Sequence, residues 1–299
     1  MSNNIKIDKP VIILFNGFGS SKLWWNYSFI GTSTLEKNEF LSKLQKIGDV
    51  FSFNYNFFNI NYYSKSDSKK ENDIWKKIYK KYKPHTSDID FNLEDLDYKT
   101  ICKNVYKKVI SKYGTNRKYV VIGHSYGSSI ALLFSKMFKS NCLLCAAIDT
   151  PPYILDFFKK HDSHAHIKDV NKYFADNASL QKILKFIKNN KGNANKEIDL
   201  VYKLIEYNSC IDRIKYYDKN MHIPTLFFRA FSTIPDTKWK KEINKYSIQE
   251  KDFLENNNKT NMLKYYVMLD ADHYIWKKPE YRDMIIYEIL NYVNLHEKN

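Results

Sequence analysis

The sequence predicts an α/β protein: a mostly parallel sheet with helices on both faces, and a helical cap inserted late in the chain. Three observations carry this. Short apolar runs of strand length alternate with helical patterns, as they do when a parallel sheet is covered on both sides. In "VVIGHSYGSSIAL" (Val120 to Leu132), β-branched residues pass through Gly-His-Ser-Tyr-Gly straight into small residues and helix formers. From Pro151 to about Asn220 the strand runs give way to helical, polar sequence, and then return.

Taken in order, "VIILF" (Val11 to Phe15) is a continuous apolar run closed by Asn-Gly, the pattern of a strand buried on both faces. "DVFSFNY" (Asp49 to Tyr55) reads as a second strand. A helix starting near Asp95 carries Ile101, Val105 and Val109 at helical spacing and stops at Gly114. The strand "KYVVIG", a helix from about Ser128 to Phe138 and the strand "CLLCAAID" follow. "SLQKILKFIKNN" and "IDLVYKLIEY" are the clearest helices of the cap. "IPTLFFRAF" and "LKYYVMLDADH" restore the strand signal, and "PEYRDMIIYEILNYVNL" closes as an amphipathic helix. The expected division is a core of residues 1–150 and 221–299, with 151–220 as the cap. No internal repeat or low-complexity segment stands out.

A chain of 299 residues can bury a full core. Its formal net charge is +15, but with 16% aromatic residues it is too rich in aromatic mass for a disordered polycation. The excess of Lys, Asn, Ile and Tyr fits an AT-rich genome, so the charge says little about partners. No nucleic-acid motif is present and acidic residues are interleaved throughout, so no specific nucleic-acid partner is expected. The four cysteines lack disulfide spacing, which suits a reducing compartment. Cys142 and Cys145 form a C-x-x-C inside an apolar run, and a buried strand explains them better than a redox or zinc pair. The N-terminus has no apolar signal core and no run approaches the ~20 residues of a membrane span. A cytoplasmic location is the expectation.

The serine within "GHSYG" raises the chemical question. A nucleophilic hydroxyl must be exposed, near a base, with amide donors aimed at the developing oxyanion. A sharp strand-to-helix turn achieves this and crowds the backbone, so very small residues must flank it. Gly123 and Gly127 provide that around Ser125. The region resembles the nucleophile elbow of the α/β-hydrolase superfamily. That resemblance covers about Val11 to Thr150 and Ile223 to Val293.

Two further segments share the resemblance. "VIILFNGFGSSKLWW" is similar to the strand and oxyanion loop that usually reads His-Gly-x-Gly, with Asn16 in place of the histidine. The resemblance implies an oxyanion hole made by the amides of Phe18 and Tyr126. "LDADHYIW" places His273 after the last strand, the superfamily's position for the base. The other seven histidines fit less well; His124, for one, sits within the elbow and should point away from its neighbour's hydroxyl. The acid usually follows the strand before the last, which favours Asp236; Asp149, one strand earlier, is the alternative. Asp236 can equally be read as the N-cap of "TKWKKEIN".

Two other features invite interpretation. "HDSHAH" groups His161, Asp162, His164 and His166, but short His-rich tracts often bind nothing and no metal is expected. "DIWKKIYKKYK", within 69–84, has an apolar stripe opposite lysines and reads as an insertion helix packed on the core, ahead of a helix lying on anionic lipid. The expected function is a serine hydrolase that cleaves a small-molecule ester or thioester through an acyl-enzyme on Ser125, with no cofactor. The alternatives are an inactive binding module of the same fold and a peripheral lipid-surface protein.

Overall fold

The structure, a computed structural model, describes residues 9–17, 22–30, 34–53, 98–149, 223–236, 238–257 and 262–297. The expected cap (151–220), the basic insertion 69–84, the histidine cluster at 161–166 and Phe18 lie outside the described residues.

Six parallel strands form the sheet: β1 (Val11–Phe15), β4 (Asp49–Ser52), β5 (Tyr119–His124), β6 (Cys142–Ile148), β7 (Thr225–Phe231) and β8 (Leu263–Leu269), in the order β4-β1-β5-β6-β7-β8. Between β1 and β4 the chain makes a short antiparallel hairpin, β2 (Tyr27–Ile30) with β3 (Thr34–Lys37), and then helix α1 (Phe40–Ile47). The other α-helices among the described residues are α2 (Tyr98–Tyr113), α3 (Tyr126–Met137), α4 (Lys238–Asn257) and α5 (Pro279–Glu297). Each parallel pair needs a crossover, which is why strands and helices alternate in the sequence.

The pleat explains why the strand runs lack polar alternation. Val11, Ile13 and Phe15 of β1 pack on one face, with Ile101, Val105 and Val109 of α2 and Ile130 of α3. Ile12 and Leu14 face the other way, toward Phe40 and Leu44 of α1 and Ile285 and Ile289 of α5. All five residues of β1 are fully buried. At about 1.5–3 kcal/mol for each large apolar side chain removed from water, both faces must be apolar. The core is thus two layers, one on each side of a single sheet.

Differences from the sequence expectation are local. β4 ends at Ser52 instead of Tyr55, and α3 begins at Tyr126 instead of Ser128. The β2–β3 hairpin and α1 occupy a stretch where no element is expected; α1 shows its apolar stripe only as Phe40, Leu44 and Ile47. Cys142 and Cys145 are buried on β6 as free thiols. Burial pushes both thiols up, Cys145 to about 12, so neither presents a reactive thiolate. Among the described residues no helix is long and apolar enough to cross a membrane.

Candidate active site

The carboxyl ends of β5, β6, β7 and β8 lie side by side, where ligands bind in open parallel sheets. β5 ends at His124, α3 starts at Tyr126, and Ser125 alone makes the turn, with φ 52° and ψ −123°. A non-glycine residue in such a conformation costs on the order of 1–3 kcal/mol and persists only where its surroundings hold it. Here they do. The Ser125 amide donates to Ile148 O of β6 (2.8 Å), and the buried Ser128 hydroxyl donates to Gly123 O (2.8 Å) and Ile148 O (3.1 Å).

The two glycines are sterically required. A Cβ on Gly123 would lie 2.4 Å from Gly127 O, and one on Gly127 would lie 2.2 Å from Phe15 O and 2.4 Å from Asn16 O. The second contact shows that the start of α3 presses against the end of β1 and Asn16. Asn16 itself is buried. Its Oδ1 accepts the indole N–H of Trp25 (2.5 Å), and its Nδ2 donates to Phe53 O (2.6 Å). One side chain therefore ties the end of β1 to the end of β4 and to the turn carrying Trp25.

His273 follows β8. Its Nδ1 is 2.6 Å from Asp149 Oδ2, and Asp149 is the first residue after β6. Asp149 also has a positive φ, 44°, and its amide donates to Phe228 O of β7 (2.7 Å). The other carboxylate oxygen, Oδ1, accepts the Ala230 N–H (3.1 Å) and lies 3.6 Å from Arg229 Nη1. Asp149 is thus fixed from β7 while it meets His273.

Asp236, the acid favoured from the sequence, does not meet the imidazole in the structure, whereas the alternative, Asp149, does. Asp236 is exposed and pairs with Lys240 one helical turn on (2.9 Å), which holds its carboxyl below the ordinary range. The loop leaving β7 explains this. Asp270, at the end of β8, accepts both the amide and the hydroxyl of Thr233 (each 2.8 Å), and Asn244 of α4 bonds Ser232 in both directions. With Ser232 and Thr233 tied down, the chain turns outward: Ile234 is 83% exposed. Asp236 continues that outward course into α4.

His124 is a structural participant that the sequence reading leaves out. Its ring is buried against Trp276 and Tyr274, and its Nε2–H donates to the backbone oxygen of His273 (2.8 Å). The two imidazoles lie 4.5 Å apart. Burial, then the neighbouring His273 and Lys277, hold the His124 pKa well below 6.5, so the ring is neutral. Below it, Trp25, Phe40 and Trp276 stack at 4.9–5.8 Å between ring centroids. That slab supports the His124 ring, and His124 supports the backbone of His273.

Arg229 is the second omission. It is 3% exposed in the apolar strand "TLFFRAF", and a charge in a buried strand signals that it must be paired. It bonds Glu250 of α4, which is also buried, and its Nε donates to Tyr265 Oη (3.3 Å). Among the described residues, no group of three or more His, Cys, Asp or Glu side chains is arranged to hold a metal ion.

No protein-family model matches this sequence, and no curated protein matches it. Among solved structures, the chain is similar to a putative lipase from Acinetobacter baumannii AYE, with 14% identity, TM-score 0.51, and coverage of 97% of this chain and 85% of that one. It is also similar to a monoacylglycerol lipase from Paleococcus ferrophilus (13% identity, TM-score 0.49, 97% and 96% covered). A peroxisomal α/β-hydrolase from Saccharomyces cerevisiae matches with 15% identity, TM-score 0.47, and 96% and 76% covered. Strand order, parallel pairing and the likeness to the first of these agree: the chain has the α/β-hydrolase fold.

Proposed function

We propose that this protein is a serine hydrolase acting on an ester or thioester, with Ser125 as nucleophile, His273 as general base and Asp149 as the acid that orients it. One observation carries the reading: the 2.6 Å contact of His273 Nδ1 with Asp149, at strand exits neighbouring the strained turn of Ser125. With Nδ1–H donated to the carboxylate, Nε2 is the nitrogen available to accept the serine proton.

In the forward step Ser125 Oγ attacks the carbonyl carbon while its proton passes to His273 Nε2. The carbonyl oxygen takes the negative charge. Tyr126 opens α3, and the first amides of a helix have no partner within it; its N–H serves as one oxyanion donor and that of Phe18 as the other. One such donor is worth about 3 kcal/mol of transition-state stabilisation in other enzymes. The imidazolium then protonates the departing alkoxide or thiolate. Water, deprotonated by the same imidazole, then attacks the acyl carbon, and the imidazolium returns that proton to Ser125 Oγ as the carboxylic acid leaves.

The test is labelling with a fluorophosphonate, followed by mapping of the modified residue. The expected adduct is on Ser125, absent from Ser125→Ala, with turnover of a short p-nitrophenyl ester lost in parallel. An adduct on Ser128 or Ser129, or none at all, would overturn the proposal.

A further inference from the structure

The candidate acid stands at the end of a buried chain of charges. Asp149 Oδ1 is taken up from β7, by the Ala230 amide at 3.1 Å and by Arg229 Nη1 at 3.6 Å, so Oδ2 alone faces His273. Arg229 reaches across to α4, where it bonds Glu250 Oε2; Tyr265 Oη of β8 donates to that same carboxylate at 3.0 Å. Arg229 and Glu250 have side chains 3% and 0% exposed, and Asp149 is 12% exposed. An isolated charge at such depth is strongly disfavoured, so each member needs the others.

We infer that Arg229 is a positioning residue for Asp149: it sets which carboxylate oxygen meets His273 and offsets part of that carboxylate's charge, while Glu250 balances Arg229 in turn. This rests on the function proposed above. The guanidinium remains charged throughout. Burial lowers its pKa, but Glu250, Tyr265 and Asp149 outweigh that and hold it well above the ordinary value.

The consequence is a set point for the base. His273 becomes an imidazolium during attack, and the net charge of the Asp149–Arg229–Glu250 row sets how favourable that is. Among the described residues, the other charged or titratable groups near His273 are His124, Tyr274, Asp272 and Lys277. His124 is neutral, and Lys277 pairs with Asp272 at 3.5 Å. Removing charge from Glu250 leaves Arg229 uncompensated and should disfavour the imidazolium. Removing Arg229 and Glu250 together takes away the closer, positive charge and should favour it.

The experiment is an NMR titration of the His273 imidazole in the full chain, assigned with His273→Gln. In Glu250→Gln, which keeps the hydrogen bonds, the titration midpoint is expected about half a pH unit or more below wild type. In the double variant Arg229→Met/Glu250→Met, which leaves no lone buried charge, it is expected above wild type by a similar amount. Arg229→Lys keeps the charge and should stay near wild type. Midpoints unchanged in both charge variants, or moved in the same direction, would overturn the inference and leave Arg229 as a tie between β7 and α4. The titration is read whether or not Ser125 turns over an ester. Failure of the fluorophosphonate test and failure of this one are therefore separate results.

Discussion

Asp149 meets His273 through Oδ2 and β7 through Oδ1, so one carboxylate joins the exits of three strands. If this contact orients the imidazole, Asp149→Asn should lower kcat by about 10³–10⁴-fold with a small change in KM, because the loss falls on the charged transition state. Asp236→Asn should leave kcat within about twofold, since its partner is the exposed Lys240. Steady-state kinetics on a p-nitrophenyl ester separates the two. Equal losses would return Asp236 to consideration.

His124 predicts a pH dependence of stability. Its folded-state pKa lies well below 6.5, so the folded chain binds fewer protons there than the unfolded chain. Stability from this ring is complete above about pH 6.5 and is lost as the pH falls toward the folded-state value, with a limiting slope of about 1.4 kcal/mol per pH unit. Urea unfolding between pH 7 and about pH 5 should show that slope, and His124→Gln should flatten it. An equal slope in the variant would mean that other groups cause it.

Gly127 and Gly114 offer a comparison of two kinds of glycine. Gly114 has φ +86° with open space around its Cβ position, so Gly114→Ala adds only backbone strain of about 1–2 kcal/mol. Gly127→Ala would drive a methyl into Phe15 O at 2.2 Å, and β1 or the Ser125 turn must move. Fluorophosphonate labelling at matched folded fraction should survive in the first variant and fail in the second. Labelling retained in Gly127→Ala would show that the turn tolerates a displacement of β1.

Asn16 should be costly to replace although it touches no proposed reacting atom. Asn16→Leu takes away the buried acceptor of the Trp25 indole N–H and the Nδ2 donor to Phe53 O, a loss of about 1–3 kcal/mol by denaturant unfolding. A loss below about 0.5 kcal/mol would place Asn16 among ordinary surface polar residues.

Much of this architecture is legible in the sequence because its signals are local. The runs "VIILF", "CLLCAAI" and "TLFFRAF" each become a strand since both faces are covered, and no partner need be known to read them. The setting of Ser125 is equally local, carried by two glycines and a change from strand to helix residues. The choice of acid is different. Which carboxylate meets His273 depends on the course of the β7 exit loop, and that course is set by Asp270, 37 residues from Thr233. No spacing near Asp236 reports such a contact. Arg229 did leave a local sign, a charge within an apolar strand, but its meaning lies in Glu250 and Asp149, which sequence separates and the sheet brings together.

The positive φ angles outside glycine fall, among the described residues, at Ser125, Asp149 and Asp270, each the first residue after a strand. Each donates its amide to a carbonyl of the adjacent strand: Ser125 to Ile148, Asp149 to Phe228, Asp270 to Phe231. The first two therefore form a relay in which β7 steadies the exit of β6, and β6 steadies that of β5. β8 is the outermost described strand on this side and, among the described strands, pairs with β7 alone. Mild denaturation should thus loosen these strand exits from the rim inward, releasing the His273 imidazole while the strand-to-helix turn of Ser125 still stands.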